Sequence, residues 1–217
     1  MPTKSVLKIY DFCLGELRKK RVELATLQLT GKLEDRLTKE FSTCVYTKSG
    51  SGLIALSNVG NRGEQKVDLA ILEGDFSRTI APEKAKIRTL IEAKYIRNVH
   101  RFGPGNAQDE LQPTLKDLRR QLKSFRKKKH GGFRVKLSGR RKDIYGLLFV
   151  SYVRPDDQDD EEEAFLRKVR KVAKKSGLTY NDLADYPWLQ PVYERQPVEV
   201  FKRKFRASLR AGLWRAG

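Results

Sequence analysis

Two stretches decide how this chain folds: Lys66-Val67-Asp68-Leu69-Ala70-Ile71-Leu72 and Thr89-Leu90-Ile91-Glu92-Ala93-Lys94-Tyr95-Ile96. Each is too short and too β-branched for a helix and is apolar at both parities, so each reads as a strand covered on both faces. Three charges, Asp68, Glu92 and Lys94, interrupt them. An unpaired charge in an interior is costly, so charges on buried strands must satisfy one another or hold something between them.

Upstream, Val6, Tyr10, Leu14 and Leu17 recur at helical spacing over 5–19, and Leu27, Leu33, Leu37 and Phe41 over 22–42. Between Phe41 and Arg62 the composition turns to Thr, Ser, Gly and β-branched residues. Cys44-Val45-Tyr46-Thr47 and Gly52-Leu53-Ile54-Ala55-Leu56 are candidate strands there, with Asn61-Arg62-Gly63 as a turn. Downstream, Pro104-Gly105 leads into a helix over 110–129 with Leu111, Leu115, Leu118, Leu122 and Phe125 on one stripe. Gly131-Gly132 ends that helix, and Ile144 to Val153 reads as another strand apolar on both sides. The order is helix, three strands, helix, strand: an α/β protein with an αβββαβ core and a central mixed sheet flanked by helices.

Pro155 and the acidic run Asp156 to Glu163 mark a boundary. Acids then give way to Arg167, Lys168, Arg170, Lys171, Lys174 and Lys175, a gradient that complements a helix dipole, and Gly177 closes the helix. Phe201, Phe205, Leu209 and Leu213 recur every four residues among basic ones. The expected organisation is a core over 1–155 with its N-terminal helices, and a basic helical C-terminal extension over 156–217 packed on it.

The chain has 217 residues, 39% hydrophobic and 34% charged, enough for one substantial core with a heavily solvated surface. A formal net charge of +19 creates a field that attracts polyanions, with nucleic acid the leading partner. No apolar run approaches the length that spans a bilayer, and Met1 to Lys8 lacks a secretory apolar core, so no membrane partner and a cytoplasmic location are expected. Cys13 and Cys44 are read as reduced packing residues. His100 and His130 are too few for a histidine-rich metal site, and Gly103-Pro104-Gly105 lacks the ending of a phosphate-binding loop.

On a strand, residues two apart share a face, about 6.6 Å apart, so Glu92 and Lys94 project together. A carboxylate from the neighbouring strand, Asp68, can meet Glu92 around one hard cation that prefers oxygen ligands and retains waters, as Mg²⁺ does, with Mn²⁺ as a substitute. A second Glu-x-Lys triplet, Glu64-Gln65-Lys66, follows a Gly turn and reads as a solvated pair.

Through Val67-Asp68, Glu92-Ala93-Lys94 and the element order around them, residues 22 to 153 resemble the PD-(D/E)XK nuclease superfamily, the restriction-endonuclease-like and Holliday-junction-resolvase-like fold. Val67 stands where the family name has Pro. The resemblance implies that Asp68 and Glu92 are metal ligands, with the Ala93 carbonyl a further one, and that Lys94 positions or activates water and stabilises negative charge. Gly31-Lys32-Leu33-Glu34-Asp35-Arg36-Leu37 looks like the acidic first-helix segment of the resolvase-like branch, which makes Glu34 a fourth catalytic and metal-site residue. Glu40 is the competing choice. Gln121, on the helix after the motif, is a further polar candidate.

The function this implies is Mg²⁺-dependent endonucleolytic hydrolysis of double-stranded DNA. Cutting both strands with one site per chain is simplest with a homodimer. The alternatives are a non-cleaving nucleic-acid-binding protein on the same fold and an RNA-cleaving, tRNase-type toxin. Lys127, Lys128, Lys129, Arg140, Arg141 and Lys142, together with Lys202, Arg203, Lys204 and Arg206, are the expected phosphate contacts.

Overall fold

The computed structural model describes residues 2–30, 33–49, 53–59, 67–73, 86–99, 111–127, 144–178 and 189–215. Three helices come first: α1 (Pro2–Lys19), α2 (Arg21–Thr30) and α3 (Leu33–Ser49). Helix α1 forms on the periodicity seen in the sequence and buries Val6, Ile9, Tyr10, Cys13, Leu14 and Leu17. The single helix expected over 22–42 is two, α2 and α3, with Gly31, a poor helix former, in the sequence between them.

Cys44 to Thr47, expected as a strand, belongs to α3 instead. Leu33, Leu37, Phe41, Cys44 and Val45 are all buried, at helical spacing. Burying that whole face outweighs the strand preference of Val45 and Thr47.

Strands β1 (Leu53–Val59), β2 (Val67–Glu73), β3 (Lys86–Val99), β4 (Ile144–Pro155), β5 (Gln190–Val200) and β6 (Arg203–Arg215) form one mixed sheet. Its spatial order is β1-β2-β3-β4-β6-β5. The β3–β4 pair is parallel and the other neighbours are antiparallel. Between β3 and β4 the chain passes through helix α4 (Leu111–Lys127), the long crossover a parallel pair needs.

Two cores sandwich the sheet. On one face Leu69, Ile71, Ile91, Ala93, Tyr145 and Leu147 pack with α1, α2 and α3. On the other, Ala70, Leu72, Leu90, Ile96, Leu148 and Val150 pack with α4 and with α5 (Glu162–Lys175). Strand β4 is buried from Ile144 through Val153, the pattern of a middle strand covered on both sides. Among the described residues the fold is therefore mixed α/β, with five helices and a six-stranded mixed sheet.

Beyond Pro155 the expectation of a helical extension holds only for α5. Glu162 and Glu163 occupy its first turn and Lys174 and Lys175 its last, as the dipole favours. Gly177 at φ +68° ends it in a Schellman arrangement, with Gly177 N–H bonded to Lys174 O at 2.9 Å and Leu178 N–H to Ala173 O at 3.1 Å. The segment from Gln190 to Arg215, by contrast, is a β-hairpin, and β6 pairs directly with β4 from Tyr145↔Arg215 to Pro155↔Phe205. A spacing of four is also two strand periods: Phe205, Ala207, Leu209, Ala211 and Leu213 are all buried, the alanines filling inward positions that an apolar count passes over. No helix among the described residues is long and apolar enough to cross a membrane.

Candidate active site

The antiparallel register of β2 and β3 sets Leu69 opposite Ile91, which brings Asp68 and Glu92 together one step along the same pair. There the Asp68 side chain takes a main-chain donor: Ala93 N–H donates to Asp68 Oδ2 at 2.9 Å. This bond fixes one carboxylate oxygen. Glu92 and Lys94 alternate with Ile91 and Ala93 and so share the face of Leu90 and Ile96, which belong to the core beneath α4.

Lys94 Nζ donates to Glu92 Oε1 at 2.9 Å and lies 3.6 Å from Asp117 Oδ2 on α4. Glu92 is only 1% exposed, and its second oxygen, Oε2, is buried without a hydrogen-bond partner among the described residues. A buried carboxylate oxygen left in that state is costly, and it marks a position where a ligand would gain most.

The electrostatics follow from this crowding. Burial, then the adjacent Asp68 charge, push the Glu92 carboxyl up to about 7 against the counter-pull of Lys94 and of the Asp68 backbone. Asp68 is also raised, chiefly by burial, with the Ala93 amide and Lys94 opposing. Burial pulls the Lys94 ammonium down, but its hydrogen bond to Glu92 and the charges of Glu92, Asp68 and Asp117 outweigh that, and its pKa is raised. Lys94 is thereby held between Glu92 and Asp117.

Of the two helical acids, Glu40 is committed elsewhere. It is buried on α3 and paired with Lys20 Nζ at 2.6 Å and Arg36 Nη2 at 3.0 Å. Glu34 occupies the first turn of α3 at an exposed position rather than an inward-facing one. Its carboxyl is raised, first by partial desolvation, with Lys94 lowering it and Asp68 and Asp35 raising it. Glu34 thus lies in the electrostatic field of the strand cluster, and Glu40 serves as a structural ion-pair centre.

Among the described residues no three His, Cys, Asp or Glu side chains gather as a ligand cluster, so Glu34 does not complete one with Asp68 and Glu92. The donors present are two carboxylates, one with a vacant buried oxygen. That set suits a hard cation such as Mg²⁺, which takes one or two carboxylates and keeps waters or substrate oxygens for the rest. The Ala93 N–H is committed to Asp68, and its side chain is buried on the opposite face with Ile91.

Three features of the site lie outside what the sequence reading had identified. Asp117 faces Lys94 from α4; with Thr114 and Gln121, also half-buried, it forms a polar line at spacings of three and four beside the leucine stripe, which is the signal that could have found it. Gly146, paired with Glu92 in the β3–β4 register, lies opposite Trp214 on β6. A Cβ added at Gly146 would stand 2.6 Å from Trp214 Nε1, so only glycine admits the indole. Trp214 is thereby buried on the same side of the sheet as the carboxylates.

The expected basic surface divides. Lys202, in the turn between β5 and β6, and Arg203 and Lys204, at the start of β6, are exposed. Arg206 is instead drawn to Asp156, with Nη2 3.5 Å from Oδ2 and Nε closer still to Oδ1. Lys127 is the last residue of α4, and its side chain lies outside the described residues, as do Lys128, Lys129, Arg140, Arg141 and Lys142. His100, His130 and the triplet Glu64-Gln65-Lys66 fall outside them too. Comparison of the chain with models of known families, with curated proteins and with solved structures finds no match.

Proposed function

We propose that the chain is a Mg²⁺-dependent endonuclease of the PD-(D/E)XK type that hydrolyses phosphodiester bonds in DNA. The observation that carries this reading is the cross-strand pair of half-buried Asp68 and buried Glu92, with Lys94 hydrogen-bonded to the latter and Glu92 Oε2 without a hydrogen-bond partner among the described residues. The order α3-β1-β2-β3-α4-β4, with β3 and β4 parallel, supports it, as does the net charge of +19.

Asp68 and Glu92 would hold the ion. The chemistry a bound Mg²⁺ supplies is polarisation of the scissile phosphate and a lowered pKa for the attacking water. Asp68, oriented by the Ala93 amide, keeps a fixed direction. Lys94, protonated and anchored on Glu92, presents positive charge where negative charge develops on the phosphoryl oxygens. Glu34, at the margin, adds negative charge from the helix side.

The test is incubation with supercoiled plasmid, a four-way junction, single-stranded DNA and tRNA, in Mg²⁺ or in EDTA, followed by mapping of the ends. Cleavage of DNA only with Mg²⁺, abolished in Asp68→Ala, Glu92→Ala and Lys94→Ala, is expected. Turnover unchanged in all three variants would remove the site assignment. Cleavage confined to tRNA, or binding without cleavage, would favour the RNA-cleaving or non-cleaving alternative.

A further inference from the structure

The turn between β5 and β6 breaks the rule for its geometry. Val200 pairs with Arg203, leaving Phe201 and Lys202 as a two-residue loop, with φ at +49° and +62°. Two left-handed residues in sequence are the mark of a type I′ hairpin turn, whose favoured sequence is Asn-Gly because other L-residues are strained there. This chain places a phenylalanine and a lysine in those positions.

Nothing within the described fold repays that choice. Phe201 is 96% exposed, the most exposed of the large hydrophobic residues at the described positions. The sequence reading placed it with Phe205, Leu209 and Leu213 in one packing stripe, but those three are buried and Phe201 is not. Lys202, Arg203 and Lys204, all exposed, follow it directly. A cleft of about 600 Å³ borders the turn end of the hairpin, lined in part by Pro155, Gln158, Arg203 and Lys204. Two acids also line it, Asp156, which is paired with Arg206, and the exposed Asp157. Strain kept in a turn that carries an outward aromatic among cations is the pattern of a contact device rather than of a packing element.

We infer that the Phe201 hairpin tip is a base-stacking wedge for nucleic acid with unpaired or splayed bases, with Lys202, Arg203 and Lys204 engaging the flanking phosphates. An aromatic face stacks on any base, and the cations select for a polyanion. The tip is remote from the catalytic cluster. Leu148, opposite Lys94, precedes Pro155 by seven residues, and Pro155 pairs with Phe205, so tip and site are separated by roughly 30 Å of strand, about nine base pairs of duplex. The inference builds on the nuclease reading by naming its substrate class: junctions and single-strand–duplex boundaries rather than continuous duplex.

Binding in EDTA separates the two readings, because it requires no cleavage. Fluorescence anisotropy with a labelled forked DNA and a labelled blunt duplex of equal length would be measured for the full chain, for Phe201→Ala, Phe201→Trp, the pair Phe201→Asn with Lys202→Gly, and Lys202→Ala with Arg203→Ala and Lys204→Ala. Phe201→Ala is expected to weaken fork binding about tenfold while leaving blunt-duplex binding within about twofold, and Phe201→Trp to restore it. The triple cation variant should weaken both. The Asn-Gly turn should raise Tm while losing fork preference, which a merely structural Phe201 would not do. Equal fork binding by wild type and Phe201→Ala, or Phe201-dependent binding to anionic phosphatidylserine vesicles without any to DNA, overturns the inference. Fork preference in EDTA by a wild-type chain that cleaves no DNA in Mg²⁺ would sink the nuclease reading alone.

Discussion

At the scale of single residues, the site is governed by what it costs to keep Glu92 charged. A carboxyl whose native pKa, about 7, lies above its reference value of 4.5 favours the native state while protonated. Its contribution is full below about pH 4.5 and is lost as the pH rises through about 7. The loss is a few kcal/mol in order of magnitude. Glu92→Gln, which resembles the protonated form, should therefore match wild-type stability at pH 4.5 and exceed it at pH 8, while cleavage disappears. Urea melts at the two pH values check this, and a wild-type advantage at pH 8 would contradict it. If Mg²⁺ is held as proposed, Oε2, which has no hydrogen-bond partner among the described residues, would gain an interaction that offsets the cost of the charge. Gly146 shows the same dependence on neighbours, since its lack of a side chain lets Trp214 close the sheet face beside Glu92.

At the scale of elements, helix α3 carries two acids with separate duties. Glu40 joins Lys20 and Arg36 and ties α3 to the junction between α1 and α2, whereas Glu34, in the first turn of α3, feels Lys94 and Asp68. Glu40→Gln leaves two half-exposed cations without their shared partner and should cost about 1–2 kcal/mol, lowering Tm by several degrees with little change in cleavage per folded molecule. Glu34→Gln should do the reverse: Tm unchanged and cleavage reduced about tenfold, or about 1.4 kcal/mol in barrier. Thermal melts with turnover measured on the same samples separate the two; a stability loss in the Glu34 variant with normal turnover would return Glu34 to the surface. The sequence held both acids on one helix and favoured Glu34 only through the resemblance of the Gly31 to Leu37 segment, with Glu40 competing. Only the positions of Lys20 and Lys94, which are far apart in sequence, distinguish them.

At the scale of the whole molecule, the β5–β6 hairpin after Pro155 extends the sheet and α5 packs on its face. Strand β6 lies between β4 and β5, and α5 covers the face that also receives α4. A chain ending at Pro155 would leave the middle strand β4 with an unpaired edge and would uncover Leu147, Phe149 and Val150. Residues 1–155 alone should therefore fail to give a cooperative thermal transition and should aggregate on purification. A sharp melt with dispersed amide resonances would show instead that the first 155 residues fold on their own.

The sequence by itself determined the strands β2, β3 and β4, the helices α1, α4 and α5, and the placement of Asp68, Glu92 and Lys94 on buried strands. These were legible because each element's periodicity is local and because a charge within an apolar run stands out whatever surrounds it. The tertiary structure alone decided three things. It made Gln190 to Arg215 a hairpin, because Phe205, Leu209 and Leu213 fit period two as well as a helix, and the turn at Phe201-Lys202 lacks the glycine or asparagine that would announce it. It carried Cys44 to Thr47 into α3, because burial of a continuous helical face outweighs the preference of single β-branched residues. It set Asp117 beside Lys94, because a contact between a helix and a strand depends on how they dock, which no local pattern encodes.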